Sequence, residues 1–296
     1  MKCSPGGWDT VTAASARAGQ VRSRCVNVTT SHQQLPVTPT AFTPPRPVPH
    51  RGGAYLLRLA TSRADVIAAQ SLRHTVFALE MAALTPGPPG LDADEFDDLS
   101  EHLILWHRPP EQPPEAVGTY RLFPPHRNDR YPRGPGLSAD RVFGLMPMEP
   151  ILDRTVEVGR ACVRADHRGG PAISMLWRGI ASYLALTGNR YLLGCASIDL
   201  HDGGRSAASF WDLALQHHLA PAHRRCRPRN PLPIGRLPRT ATPTIPPLLA
   251  GHLRVGARVC GPPGYDELSG TADFLLLLDA GAADPRRLRR FAPTGG

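Results

Sequence analysis

Lysine is almost missing from this chain. Lys2 is the only one among 34 basic side chains, which leaves 33 arginines. A Schiff base or lysine nucleophile inside a folded domain is thereby excluded, because no amine is there to form it. Long apolar runs are missing too. No stretch reaches the ~18 residues of a membrane-crossing helix, and Met1–Gln20 has no signal-peptide apolar region. A cytoplasmic protein is expected, at most peripheral to a membrane face. The six cysteines (3, 25, 162, 195, 226, 260) are scattered without C-x-x-C spacing. That argues against a zinc site or a disulfide framework and for reduced thiols. Cys162 and Cys195 sit in apolar strand contexts and read as buried structural thiols. The histidines show no H-E-x-x-H or paired ligand spacing, so neither metal nor cofactor is expected. Ser197 lacks the G-x-S-x-G elbow of a serine hydrolase. The arginines of 224–239 lack the interleaved aromatics of a nucleic-acid platform, so no nucleic acid is expected.

What the chain does carry is a net charge of +9, which suits an acidic partner or a solvated arginine-rich surface. Residues 1–53 are rich in Pro, Thr and Arg without periodicity and read as a disordered extension. From Ala54 onward strands and helices alternate, which predicts one α/β domain over 54–291. Strands are expected at 54–60, 102–106, 116–123, 155–163, 191–198 and 272–279. Helices are expected at 64–81, capped by Thr61 or Ser62, and at 172–186, 206–215 and 247–255.

Three stretches bear on chemistry. In the first helix Arg73, Phe77 and Glu80 stand at i, i+4 and i+7, on one face. After a Pro/Gly break, L-D-A-D-E-F-D-D-L-S-E packs six acids into ten residues. Asp97 and Leu103 stand where an EF-hand loop wants its Gly and bidentate Glu, so calcium is not indicated. The loop is either solvated or a seat for an ammonium or guanidinium group. In E-V-G-R, Glu157 and Arg160 face opposite sides of a regular strand, unless Gly159 permits a bulge that brings them together. A structural salt bridge is the alternative. Finally, Arg164, Arg168, Gly169 and Gly170 precede a helix start at Ala172, an arrangement that can point backbone N–H groups at an anion.

Taken in order, R-x-x-V-F-x-x-E, D-x-D-x-F-D followed by H-L, V-G-T-Y-R-L, E-V-G-R-A-C-V, L-W-R-G-I, G-C-A-S-I and P-P-L-L-A-G-H-L-R-V-G-A resemble the L-ornithine N-alpha-acyltransferases of ornithine-lipid synthesis. A shorter set is shared with the acyl-homoserine-lactone synthases. The resemblance implies a GNAT-like mixed central sheet flanked by helices. It implies acyl transfer from acyl carrier protein to the α-amine of ornithine, giving a lyso-ornithine lipid, with the carrier as co-substrate. Another amine and a non-catalytic basic binding module are the alternatives. On this reading Glu157 is the base or a proton relay. Arg73, Arg121 and Arg160 position the substrate carboxylate or stabilise charge. Phe77, Glu80, Asp92, Asp94, Asp97 and Ser197 line the amine side. Arg164, Arg168, Gly169, Gly170 and Ala172 take the phosphopantetheine phosphate, and the arginines of 224–239 take the carrier's acidic helix.

Overall fold

The computed structural model describes residues 48–50, 53–125, 136–168 and 171–282. Most of the expected 1–53 extension, residues 283–291 of the expected domain, and Gly169 and Gly170 lie outside the described residues. Strand pairing nevertheless begins ahead of Ala54: β1 (Val48–His50) pairs with β2 (Gly53–Leu59).

Eight strands run side by side. After β2 come β3 (Glu101–Arg108), β4 (Glu115–Phe123), β6 (Thr155–Val163), β7 (Tyr191–Asp199), β11 (Thr271–Asp279) and β10 (Gly264–Asp266), and β9 (Arg258–Val259) also pairs with β11. A separate ribbon joins β5 (Phe143–Gly144) to β8 (Arg227–Pro228). All the pairings in the large sheet are antiparallel except β6 with β7. That parallel pair is the consequence of α2 (Ala172–Thr187), which carries the chain back across the sheet.

The alternation of side chains along each strand sorts the two faces. Tyr120, Leu122, Val156, Val158 and Leu192 point into a core shared with α2, through Leu176, Trp177, Ile180 and Tyr183. Gly179 lets that helix close on the sheet, since a Cβ there would lie 2.7 Å from methyls of Leu57 and Leu103. The intervening residues, Arg121, Phe123, Glu157 and Leu193, face the other way. There Phe123 and Leu193 join a second core with Phe143, Met148 and Leu275. A third core gathers around α3 (Arg205–Leu213) and α4 (Pro247–Val255), with Phe210 packed edge-on to Phe274.

The first helix departs from expectation. α1 (Arg63–His74) is capped by Ser62, whose side chain accepts from Asp65 N, but from Thr75 to Glu80 it widens into a π-helix. The wider turn rotates the tail of the helix relative to its start. Arg73, Phe77 and Glu80 therefore do not form one stripe: Arg73 is fully buried, Phe77 half-buried and Glu80 exposed.

Candidate active site

The acidic loop does not stand free in solvent. Arg73 on α1 donates from Nε to Asp92 at 2.9 Å and from Nη2 to Asp97 at 2.6 Å, and also reaches the Asp92 carbonyl. Arg121 on β4 donates to Asp94 at 2.5 Å and Asp97 at 3.0 Å. Gln70 adds 2.8 Å to Asp97. Arg160 completes the set, 3.4 Å from Asp92 and 3.9 Å from Asp94, with the Phe77 ring 5.9 Å from its guanidinium carbon. Three carboxylates thus meet three guanidiniums. Burial would raise Asp97, but the Arg73 hydrogen bond and the charges of Arg73 and Arg121 hold it far below the usual carboxylate range. At Asp92 burial wins, and its pKa is raised in spite of Arg160 and Arg73. Its Oδ2 accepts no hydrogen bond among the described residues.

Arg160 reaches this cluster because β6 is bulged. Thr119 pairs with Cys162 and Arg121 with Gly159, so two steps on β4 face three on β6. Arg160 itself takes φ +48°, a conformation an L-residue holds only when its surroundings impose it. The bulge that Gly159 permits is there, but it joins Arg160 to Asp92 and Asp94 and not to Glu157.

Alongside the bulge the sheet parts. The β6–β7 pairing ends at Glu157 with Leu193, although both strands run on to Val163 and Asp199. Cys195 and Ser197 are exposed on β7 although it lies mid-sheet, and Gly159–Ala161 on β6 are half-exposed. A groove therefore opens between two central strands, and among the described residues no pairing joins their backbones across it. Gly194 stands where the strands begin to diverge; a Cβ there would lie 2.4 Å from the Val158 carbonyl oxygen. Cys195 is thus not the buried thiol its apolar context suggests. The protein packed around it still raises its pKa well above that of an ordinary thiol.

Glu157 sits at the root of the groove but turns away from it. Its Oε1 accepts from Ser138 Oγ and Ala139 N, both at 2.7 Å, and its Oε2 from Ser138 N at 2.8 Å. The carboxyl anchors the short turn Ser138–Arg141, which Arg141 also ties to Glu95 and the Phe96 ring. Burial raises the Glu157 pKa against those three donors. Ser197 Oγ donates to Asp273 on β11 at 2.6 Å.

The candidate phosphate residues are differently disposed. Arg164 gives its whole guanidinium to Glu115 (2.8 and 2.9 Å) and Asp166 (2.7 and 3.0 Å), leaving no face for a phosphate. His107, Glu115 and His167 converge within 4.8 Å there, but Arg164 Nη2, 3.0 Å from His167 Nε2, is already the cation among them. Arg168 donates to the Val163 carbonyl and pairs with Glu80, remaining half-exposed. Glu80 is therefore drawn to the start of α2, away from the acidic loop. Ala172, fully buried, opens that helix. Ser138 and Asp273 escaped the reading of the sequence. Ser138 had no spacing to mark it, but Asp273 is an acid followed by one phenylalanine and four leucines in an apolar strand, which was a usable signal.

An acetyltransferase (GNAT) domain model matches residues 72–178. The L-ornithine N(alpha)-acyltransferase of Rhodobacter capsulatus is 34% identical over 242 residues, covering 77% of this chain and 91% of the relative. The Brucella abortus enzyme of the same name is 32% identical over 252 residues, 77% and 85% of the two chains. This chain belongs to the L-ornithine N(alpha)-acyltransferase family. Its fold is the GNAT acyltransferase fold, and the matched segment takes in Arg73, the acidic loop, the bulge and the start of α2. Ser197 and Asp273 lie outside it. Among solved structures, the acyl-homoserine-lactone synthase LasI covers 83% of this chain and all of its own, at 10% identity and TM-score 0.46. FeeM, an N-acyl amino acid synthase from uncultured soil microbes, covers 81% and 93%, at 12% identity and TM-score 0.43.

Proposed function

We propose that this protein moves a fatty acyl group from the phosphopantetheine thioester of acyl carrier protein to the α-amine of L-ornithine, giving the lyso form of an ornithine lipid. The observation that carries the reading is the juxtaposition of two features. An open groove between two central strands lies beside a charge-balanced Arg/Asp cluster, in a chain of this family.

The donor arm would lie in the β6–β7 groove, its carbonyl polarised by backbone N–H groups freed at the bulge. Ornithine carries both signs of charge, and the cluster presents both. Arg160 and Asp94, the members nearest its surface, would meet the substrate carboxylate and an ammonium group. Asp92, whose Oδ2 makes no hydrogen bond with the described residues and lies 3.4 Å from Arg160, is the carboxylate assigned to take a proton from the attacking amine. Glu157 enters as a positioning residue, because its oxygens are committed to Ser138 and Ala139. Arg168 would exchange Glu80 for the carrier's phosphate. Arg225, Arg227 and Arg236, exposed and without a carboxylate partner among the described residues, would meet the carrier's acidic helix. No helix among the described residues is long and apolar enough to cross a membrane, and the amphiphilic product would be delivered from the cytoplasmic side.

The test mixes the protein with 3-hydroxyacyl carrier protein and a panel of amines, and follows free thiol and product mass. Ornithine-dependent thiol release with amide formation is expected. Release only with another amine would move the substrate, and no release with any amine would refute the reading.

A further inference from the structure

The amine must lose a proton and the departing thiolate must gain one, yet the cluster around Arg73 provides only for the first. We infer that Asp273, backed by Ser197, donates the proton to the leaving sulfur. This rests on the acyl-transfer reading above.

Register places the pair. Thr155 lies opposite Tyr191 and Glu157 opposite Leu193. Past that last pair the bulge residues Arg160 and Ala161 stand three and four residues along β6, at the same end of the groove as Ala196 and Ser197, three and four residues along β7. Asp273 is the partner of Ser197 on β11. Alternation from Leu193 turns Cys195 and Ser197 to the face that carries Glu157 and Arg121, and Asp273 shares it with Leu275. The pair thus stands across the groove from the bulge, where the thioester carbonyl would be polarised.

The chemistry of the pair suits the task. Asp273 is 8% exposed. Its Oδ1 accepts from Ser197 Oγ at 2.6 Å and Thr271 Oγ1 at 3.0 Å, while its Oδ2 makes no hydrogen bond with the described residues. Burial, with Asp266 adding repulsion, raises its pKa against the two hydroxyls, in the direction a proton donor needs. The neighbouring alternatives are poor donors. Cys195 is a weaker acid than an ordinary thiol, and Glu157 is committed to the 138–139 turn.

In the step itself the nitrogen–carbon bond forms and the carbon–sulfur bond breaks. The sulfur keeps the bond's electron pair and takes the Asp273 proton. The resulting carboxylate is held by the two hydroxyls until solvent re-protonates it.

A leaving-group comparison tests this. Ornithine acylation is measured with the acyl carrier protein thioester, whose thiolate needs a proton, and with an acyl 4-nitrothiophenyl ester, whose thiolate does not. Asp273→Asn is expected to lose about 100-fold in kcat on the first and less than about fivefold on the second. Ser197→Ala should show the same selectivity to a smaller degree, and it decides the matter if Asp273→Asn does not fold. Equal losses on both esters would mean a structural role and overturn the inference while leaving acyl transfer intact. A wild-type protein that acylates ornithine from neither ester would overturn both.

Discussion

Replacing Glu157 by glutamine separates two roles that the E-x-x-R pattern alone cannot. The carboxylate accepts three hydrogen bonds, from Ser138 Oγ, Ala139 N and Ser138 N. Glutamine supplies one oxygen and one NH2. The best amide orientation keeps the oxygen at the Oε1 position and its two bonds, and turns NH2 toward the Ser138 N–H. One charge-assisted bond is lost and one buried donor faces another. Each loss is on the order of 1–3 kcal/mol. Against it stands the relief of removing a buried charge, since burial already raises the Glu157 pKa. A net cost of about 2–3 kcal/mol is expected, a Tm fall of roughly 4–10 °C for a domain of this size. The turn over the groove loosens, so KM for the donor rises, while the acid limb of the kcat–pH profile stays where it was.

Scanning calorimetry and steady-state kinetics across pH read both quantities. Ser138→Ala provides the control, because it removes one of the three bonds from the other side. It should give the same pattern at about 1 kcal/mol. If Glu157 is instead the base, Glu157→Gln leaves Tm nearly unchanged, lowers kcat by about 10²–10⁴ and abolishes the acid limb. With Ser138→Ala silent, that outcome would refute the anchoring argument.

Arg73→Lys should destabilise the protein by about 3 kcal/mol in chemical denaturation, because an ammonium cannot span Asp92 and Asp97 and one buried carboxylate loses its Arg73 partner, keeping only Arg160 or Arg121. His102, 2% exposed, donates from Nε2 to the Asp97 carbonyl, and burial lowers its pKa to about 4. The unfolded chain therefore binds the proton more readily, so its contribution is intact above pH ~6.5 and is lost as pH falls toward 4, at most about 3 kcal/mol. His102→Gln should flatten the stability–pH curve in that window, and an unchanged slope would contradict the assignment. Cys195, accessible in the groove but with a raised pKa, should be alkylated by a maleimide more slowly than a free thiol. Peptide mass mapping should find the adduct blocked by bound donor, with activity lost on labelling but kept in Cys195→Ala.

The order of strands and helices was legible in the sequence, because alternation and 3.6-residue periodicity are local properties. So was the possibility of a bulge at Gly159, because a glycine inside a strand is one of the few local marks a bulge leaves. Pairings between distant residues were not. Asp97 meets Arg73 and Arg121 across 24 residues each, and nothing in D-A-D-E-F-D-D shows which arginines will neutralise it. Glu157 and Ser138 are tied by a turn whose sequence has no marker. The π-helical turn after His74 is a tertiary outcome: it redirects Glu80 to Arg168, where α-helical spacing would have kept it with Arg73. Cys195 looks buried in Y-L-L-G-C-A-S-I because composition records the apolar strand and not the parting of its neighbour.

The charge balance changes what the acidic loop can mean. Six acids in ten residues suggest a negative seat that gathers cations. In the fold Asp92, Asp94 and Asp97 are matched by Arg73, Arg121 and Arg160, Glu95 by Arg141, and Asp98 by Arg63. A simple diamine would have to displace an arginine from such a network at the cost of stranding its charge. A ligand with an ammonium and a carboxylate on one carbon can instead insert between Arg160 and Asp94, replacing their 3.9 Å contact with two shorter ones. Discrimination should therefore fall on the substrate's carboxylate as much as on its amines. Putrescine, which keeps both amines of ornithine and lacks the carboxylate, should be acylated at least 100-fold less efficiently in kcat/KM, the scale on which a site built for a polar group rejects the analogue without it. Arg160→Met should erase most of that difference by lowering the rate with ornithine. Equal rates for the two amines in the wild-type protein would show that the carboxylates alone select the substrate, and that the arginines serve only the fold.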